Sequence, residues 1–326
     1  MKRLSIASLA VLLWSGIHLG SISLGAEKYP VKPIIFIINV EAGSDADLLA
    51  RPIMQKVSTI LGQPIMIVNK PGGGGAIAYK EIWGAKPDGY TIGYAASSLL
   101  IVKTQGLLPY DYRDFMTLGS YAILTPIVVG STKNQRPFKT IQEAISFAQS
   151  HPGEVSMATG SIGSTMWVAA MGFQEAAGLK LNSIPQAGAG GLIVTQVAGG
   201  HTDLGVMALP AAKTHIDAGN VRFLAIIGSK RAPGYDQVPT LKEIGYDVSI
   251  DSVNWVVAPP KIPRNIADKL IKALETAAND PEFHKFVFER NGIPFYLPGD
   301  KLIKTLDEQE KLYRRILEKA GLLKKK

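Results

Sequence analysis

The stretch KPIIFIINVEAGSDADLLARPIMQKVSTIL, Lys32 to Leu61, contains three kinds of sequence in succession. Lys32 to Val40 is a continuous apolar run of strand length, and Gly43 and Ser44 break it. Leu48, Leu49, Ile53, Met54, Val57, Ile60 and Leu61 then recur at helical spacing, so the segment reads as strand, loop and helix. The same order repeats downstream. Gln63 to Lys70 is a second strand of the buried type, PGGGGA a glycine loop, Ile77 to Ala85 a helix, Pro87 to Gly89 a turn, and Tyr90 to Ala95 a third strand. Strands alternating with helices predict an open, largely parallel sheet.

A second α/β series opens near Thr125 to Gly130. It continues as helix Ile141 to Ser150, strand Glu154 to Thr159, helix Thr165 to Ala177, strand Leu181 to Pro185, helix Gly191 to Ala198, strand Thr202 to Ala208, helix Ala211 to Ala218 and strand Val221 to Gly228. The strand Val253 to Pro260 is followed only by helices, Asn265 to Asn279, Pro281 to Arg290 and Gly299 to Lys319. A helical tail has to bury its apolar stripe against something, so it is expected to return to the first unit, with chain crossings at Tyr121 to Gly130 and Ser249 to Ala258. The expected division is residues 27–124 plus 250–326 for one domain and 125–249 for the other.

Residues 1–26 stand apart. Lys2 and Arg3 precede an apolar stretch, and small residues follow in SISLGA, the form of an export signal cut after Gly25 or Ala26. The apolar core is interrupted by Ser15, Gly16 and His18, which argues against a membrane anchor. The mature chain is expected to be periplasmic. It contains no cysteine, so disulfides, a thiol nucleophile and thiolate metal sites are excluded. The formal charge of +8 includes Lys2 and Arg3, and part of the remaining +6 sits in Lys324 to Lys326. The other basic residues are scattered among acids, which does not favour a nucleic-acid partner.

Gly73, Gly75 and Ala78 have dinucleotide-loop spacing. YTIGYAASS, however, lacks the acid that would take the ribose hydroxyls, and a close backbone turn also explains the glycines. The histidines show no H-E-x-x-H spacing and no serine lies in G-x-S-x-G, so neither a metal, a cofactor nor catalysis is expected. His201 and Asp203 read as a solvated turn. What remains is a set of strand-to-helix junctions rich in small residues: AGSDAD (Ala42 to Asp47), AASS (Ala95 to Ser98), ATGSIGST (Ala158 to Thr165) and QAGAGG (Gln186 to Gly191). Parallel strands would place them at one sheet end, where helix N-termini offer unpaired N–H groups and partial positive charge. Each junction alone is also explained by helix capping; together, in two facing domains, they point to a cleft for an anion.

YPVKPIIFIINVEAGSDADLLAR, GQPIMIVNKPGGGGAIAYKEIWGAKPDGYTI, LPYDYRDF and QVPTLKEIGYDVSIDSVNWVVAPPKIP, with their spacing, resemble the extracytoplasmic solute-binding proteins of tripartite tricarboxylate transporters, also called the Bordetella uptake gene family. The likeness runs from Tyr29 to the C-terminal helices. It implies an α/β, two-domain periplasmic-binding-protein (Venus flytrap) fold that holds a small organic carboxylate and presents it to membrane permease subunits, without chemistry, and it is expected to act as a monomer. Carried over by motif, the carboxylate contacts are Ala42, Gly43, Ser44 and Asp47, then Thr159, Gly160, Gly163 and Ser164. Ser97, Ser98, Ser161, Trp167, Gln186, Gly188 and Met207 complete the candidate set.

The pattern also departs from the family's. Its usual proline and aromatic before the first loop are Asn39 and Val40 here, and its second loop glycine is Ser44. The histidine after the second-domain loop is Trp167, the frequent Tyr-Lys-Gly is Gln186, Ala187 and Gly188, and the Asn-Pro before LPYD is absent. These changes leave the ligand's identity open. Asp47 is a cap or a loop brace. Glu41 and Asp45 either point to solvent, the preferred reading, or meet a cationic group of a zwitterionic ligand. Trp167 either offers an apolar face to an aromatic acid or packs within its helix. Rival functions are a sensor with the same cleft and, from another class, a small-molecule enzyme.

Overall fold

The computed structural model describes residues 28–186 and 190–323. The export-signal segment, Ala187, Gly188 and the terminal lysines fall outside the described residues. In the first sheet β1 (Ile34–Ile38), β2 (Ile65–Asn69) and β3 (Thr91–Ala95) pair in parallel, joined through helices α1 (Asp45–Leu61) and α2 (Ala76–Gly84). β4 (Met116–Leu124), β10 (Ser252–Ala258) and the short β11 (Ile293–Pro294) complete it in the order β11-β4-β10-β3-β1-β2. The second sheet runs β7-β6-β8-β5-β9. Its strands are β5 (Pro126–Ser131), β6 (Ser156–Thr159), β7 (Asn182–Pro185), β8 (Leu204–Ala208) and β9 (Val221–Ile226). Its helices are α3 (Ile141–Ser150), α4 (Thr165–Ala177), α5 (Gly190–Ala198) and α6 (Leu209–Asp217).

Both sheets are mixed, which amends the expectation of mostly parallel sheets. The βαβ units supply parallel pairs, whereas β10 runs antiparallel to β3 and β4, and β5 antiparallel to β8 and β9. The physical cause is the route of the chain. It leaves the first sheet at Leu124 and enters the second at Pro126, with only Thr125 between, and β10 returns beside β4 in the opposite sense. β4 and β11 had no counterpart in the sequence reading, and β2 is a half-buried edge strand rather than a buried one. An apolar run of strand length does not by itself reveal which neighbours a strand has.

Local sequence explains the elements that carry the site. α1 starts at Ser44, whose Oγ accepts the Asp47 N–H, has Asp45 and Asp47 in its first turn, and stops at Gly62 in the left-handed conformation at φ 68°; these are favourable N-cap, dipole and C-cap choices. Central strand β3 carries Gly93, where any Cβ would collide with Ile82 of α2, so glycine there sets how closely that helix packs. The PGGGGA loop holds Gly72 to Gly75 all at positive φ, a backbone requirement that accounts for the glycine run.

The three C-terminal helices are α7 (Arg264–Ala278), α8 (Pro281–Glu289) and α9 (Gly299–Lys319). α7 packs on β4 and α1, while α9 touches both β4 and α4. Tyr313 and Ile316 of α9 join a buried cluster that includes Tyr79 and Leu99 on one side and Val168 and Phe173 of α4 on the other. Two charged contacts from Arg315 (3.4 Å) and Lys319 (2.8 Å) to Glu175 fasten the same helix to α4. Tyr112 of the LPYDYRDF segment donates to Asp307 of α9 at 2.5 Å.

Candidate functional site

The first junction, between β1 and α1, is held open by Asp47. Its carboxylate accepts the Gly43 N–H (2.9 Å), Nε and Nη2 of Arg51 (2.9 Å each) and Nδ2 of Asn69 (2.9 Å). Burial works to raise its pKa, but the hydrogen bonds from Arg51, Asn69 and Gly43 and the Arg51 charge outweigh it and hold the carboxyl below the usual range. Asp47 is only 1% exposed, and its acceptor sites are filled from within the protein. It therefore braces the loop, and the Gly43 N–H is already taken. The N–H groups of Asp45 and Ala46 have no acceptor among the described residues, and they are the donors this helix start leaves for an incoming anion.

The junction between β6 and α4 repeats the design in the second lobe. Ser164 caps α4 by accepting the Trp167 N–H at 3.2 Å, and its own N–H goes to Ser161 O at 2.9 Å. The N–H groups of Thr165 and Met166 find no acceptor among the described residues. A serine that accepts through Oγ still has its hydroxyl hydrogen to donate, so Ser44 and Ser164 cap their helices without losing that capacity. Thr159 is fully buried and its hydroxyl closes on Gly160 O at 3.1 Å. Gly163, at φ 82°, leaves no room for a Cβ against Gln105 of the first lobe, so the two lobes meet at this loop.

The third junction follows β3. Tyr79 of α2 is completely buried, and its oxygen accepts Asn39 Nδ2 at 2.6 Å and, at 3.5 Å, the Ala96 N–H. It also lies 2.8 Å from Ser98 Oγ, a pair in which either hydroxyl can be the donor. Burial, partly offset by the bonds to Ser98 and Ala96, pushes the Tyr79 pKa up to about 12, so the phenol keeps its proton. Ser97 is fully buried and its Oγ has no partner.

The fourth junction lies partly outside the described residues, with Gly188. Gln186 is half-buried and its N–H donates to Thr159 O at 2.9 Å. Ala46, Ala96, Met166 and Ala208, one from each of four strand ends, share a single hydrophobic cluster. These four junctions are thus linked through one connected apolar core. Ala42 and Gly43 are exposed, whereas Met207 and Trp167 lie in core clusters, the tryptophan 6% exposed.

Three features escaped the sequence reading. The Asn39–Tyr79–Ser98 chain joins positions far apart in sequence, and only the identity of Asn39 hinted at it. Glu41 is exposed, but Asp45 is half-buried and its Oδ2 would lie 3.6 Å from a Cβ built on Gly190 of α5. Asp203 belongs to no solvated turn. It is 5% exposed and accepts from Asn134 Nδ2 (2.7 Å), Arg136 Nε (3.1 Å) and Ser156 N (2.8 Å). Burial works against ionisation there, but Arg136 and Ser156 keep its pKa low, and it ties β6 to β8. His201 beside it is exposed.

The profile described as "Tripartite tricarboxylate transporter family receptor" matches residues 49–322. The chain belongs to that receptor family. Among its relatives, the receptor is 30% identical to BugT of Bordetella pertussis over 82% of this chain and 81% of that one. It superposes on a structure described as a periplasmic transporter with a TM-score of 0.80, 29% identity and coverage of 90% and 99% of the two chains. An R. palustris protein solved with adipate shares the fold at a TM-score of 0.81 and 23% identity, over 90% of this chain and 98% of that one. The two-lobe fold of this receptor is thus that of the periplasmic binding proteins. No described helix is long and apolar enough to cross a membrane.

Proposed function

We propose that this receptor works in the periplasm, as a monomer, by closing its two lobes on a small organic carboxylate and presenting it unchanged to a membrane permease. The supporting observation is the pair of serine-capped helix starts, α1 in one lobe and α4 in the other, each with two N–H groups left without an acceptor among the described residues. Ala46 and Met166 at these starts belong to one connected apolar cluster that reaches into both lobes, which supports a shared cleft. Helix starts favour anions without a cationic side chain. The adipate held by the R. palustris protein of the same fold agrees with a carboxylate guest.

The energies suffice. A micromolar complex needs about 8 kcal/mol, and each hydrogen bond to an ionised group contributes roughly 1.5–3 kcal/mol. Four backbone donors and one serine hydroxyl offer roughly 8–15 kcal/mol in all, which reaches the required value at its upper end once the cost of association is subtracted. Closure removes water from the anion, and the closed shape is what a permease would recognise. The contacts assigned to the guest are the Ala42–Ser44 loop with the Asp45 and Ala46 amides, Ser97 and Ser98, the Thr159–Ser164 loop with the Thr165 and Met166 amides, and Gln186 with Gly188. Asp47 supports the first loop from behind.

Thermal-shift and calorimetric screening of the mature protein against mono-, di- and tricarboxylates tests the reading. At least one acid is expected to raise Tm and bind with micromolar affinity without being consumed. If no organic anion stabilises the protein at millimolar concentration, or if a bound acid is turned over, the reading is wrong.

A further inference from the structure

Two acids in the first turn of α1 are in opposite situations. Asp47 is saturated with donors, whereas Asp45 has no hydrogen-bond donor or cation within reach among the described residues. Burial alone pushes the Asp45 pKa up to about 6, so at neutral pH it is still largely ionised. An ionised, half-buried carboxylate without a partner is costly. Its surroundings show what would relieve that cost.

Asp45 forms one wall of a cavity of about 370 Å³ between α1, α6 and the turn that joins α8 to β11. Leu48, Lys213, Glu289, Arg290 and Asn291 also line it. The charges of Lys213 and Glu289 are already matched, by Asp217 at 2.6 Å and Lys285 at 3.9 Å. The Arg290 guanidinium rests 3.8 Å above the Phe286 ring with no carboxylate in reach among the described residues, whereas the Asn291 amide nitrogen is buried beneath the cavity wall. The cavity therefore leaves an anion open on one side and a cation open on the other. That is the complement of a zwitterion, in a volume suited to a small metabolite.

We propose that Asp45 is the specificity-determining residue of this receptor and receives the ammonium group of an amino-bearing organic acid, while Arg290 meets an acceptor oxygen of the same ligand. This rests on the carboxylate reading above and narrows it. The Asp45 backbone N–H serves the carboxylate at the helix start, and its side chain, one residue wide of that point, serves the cation in the cavity. A plain dicarboxylate would bring a second negative charge against Asp45 and is disfavoured by it.

Calorimetry with matched acids tests this on the mature protein: glutarate against glutamate, adipate against 2-aminoadipate, and butyrate against 4-aminobutyrate. In at least one pair the amino acid is expected to bind about tenfold or more tightly than its partner, a difference of about 1.4 kcal/mol. Asp45→Asn and Asp45→Ala should each abolish that preference, chiefly by weakening the amino member. Amino and plain acids binding equally, plain acids binding better, or a preference that survives in both variants overturns the inference while leaving the carboxylate reading intact. If no member of any pair binds, this inference is overturned, while the carboxylate reading stands or falls with the wider screen of organic anions.

Discussion

Replacing Asp47 by alanine removes the acceptor of four donated hydrogens in one step: the Gly43 N–H, two from Arg51 and one from Asn69. The cost follows from what each donor does next. The Arg51 side chain is 46% exposed and can turn to water, so its loss is small. The Asn69 amide and the Gly43 N–H lose a charged acceptor, at roughly 1.5 kcal/mol each, which gives a destabilisation of about 3 kcal/mol. The effect has a pH signature. Because the folded-state pKa of Asp47 is depressed, its contribution is present above the unfolded value near 3.9 and is lost as pH falls through the folded value. Urea unfolding of wild type and Asp47→Ala should differ by about 3 kcal/mol at pH 7, and the gap should shrink steadily as pH falls below the unfolded value near 3.9. Carboxylate affinity at pH 7 should fall about tenfold because the loop is no longer pre-organised. A variant within about 0.5 kcal/mol of wild type at pH 7, or a gap that persists undiminished at low pH, refutes the reasoning.

Other consequences follow from individual groups. For Asp45 the sign is reversed, since burial raises its folded-state pKa to about 6: the penalty is absent below the unfolded value near 3.9 and grows as pH rises through 6. Asp45→Asn should therefore raise Tm by about 3 °C at pH 8 and by nothing measurable at pH 3.5, as scanning calorimetry at both pH values will show. Tyr79→Phe leaves Asn39 and Ser98 without the shared hydroxyl, so carboxylate affinity by calorimetry should drop about tenfold while stability falls by only about 1–2 kcal/mol. Asp203→Ala strands Arg136, Asn134 and Ser156 and should cost about 3–5 kcal/mol in urea unfolding without changing the preference among ligands.

The fold was legible because periodicity is a local property. α3, α4 and α9 begin and end where apolar spacing places them, and Ser44, Thr140 and Ser164 announce their helices as caps. Strand partnership is not local. β4 is buried along almost its whole length by β10 and β11, which arrive more than a hundred residues later, so nothing in Met116–Leu124 alone indicates its place or the antiparallel sense it imposes on the sheet. The candidate site divides in the same way. The junctions were readable as glycine- and serine-rich strand ends, but which of their N–H groups stay free was not, because Asp47 claims Gly43 only once Arg51 and Asn69 are in place. Asp45 and Asp47 look alike in sequence and differ by whether such partners arrive. Asp203 looked solvated beside His201 because Arg136 and Ser156 approach it from distant segments.

The central claim, that free amides at two opposed helix starts hold the carboxylate, is tested most directly by ¹H–¹⁵N spectra of the labelled protein titrated with a carboxylate found to bind. The amides of Asp45 and Ala46 in one lobe and of Thr165 and Met166 in the other should shift together, downfield and saturably, with the dissociation constant measured by calorimetry. Saturable binding that leaves all four amides in place while resonances elsewhere move would contradict it.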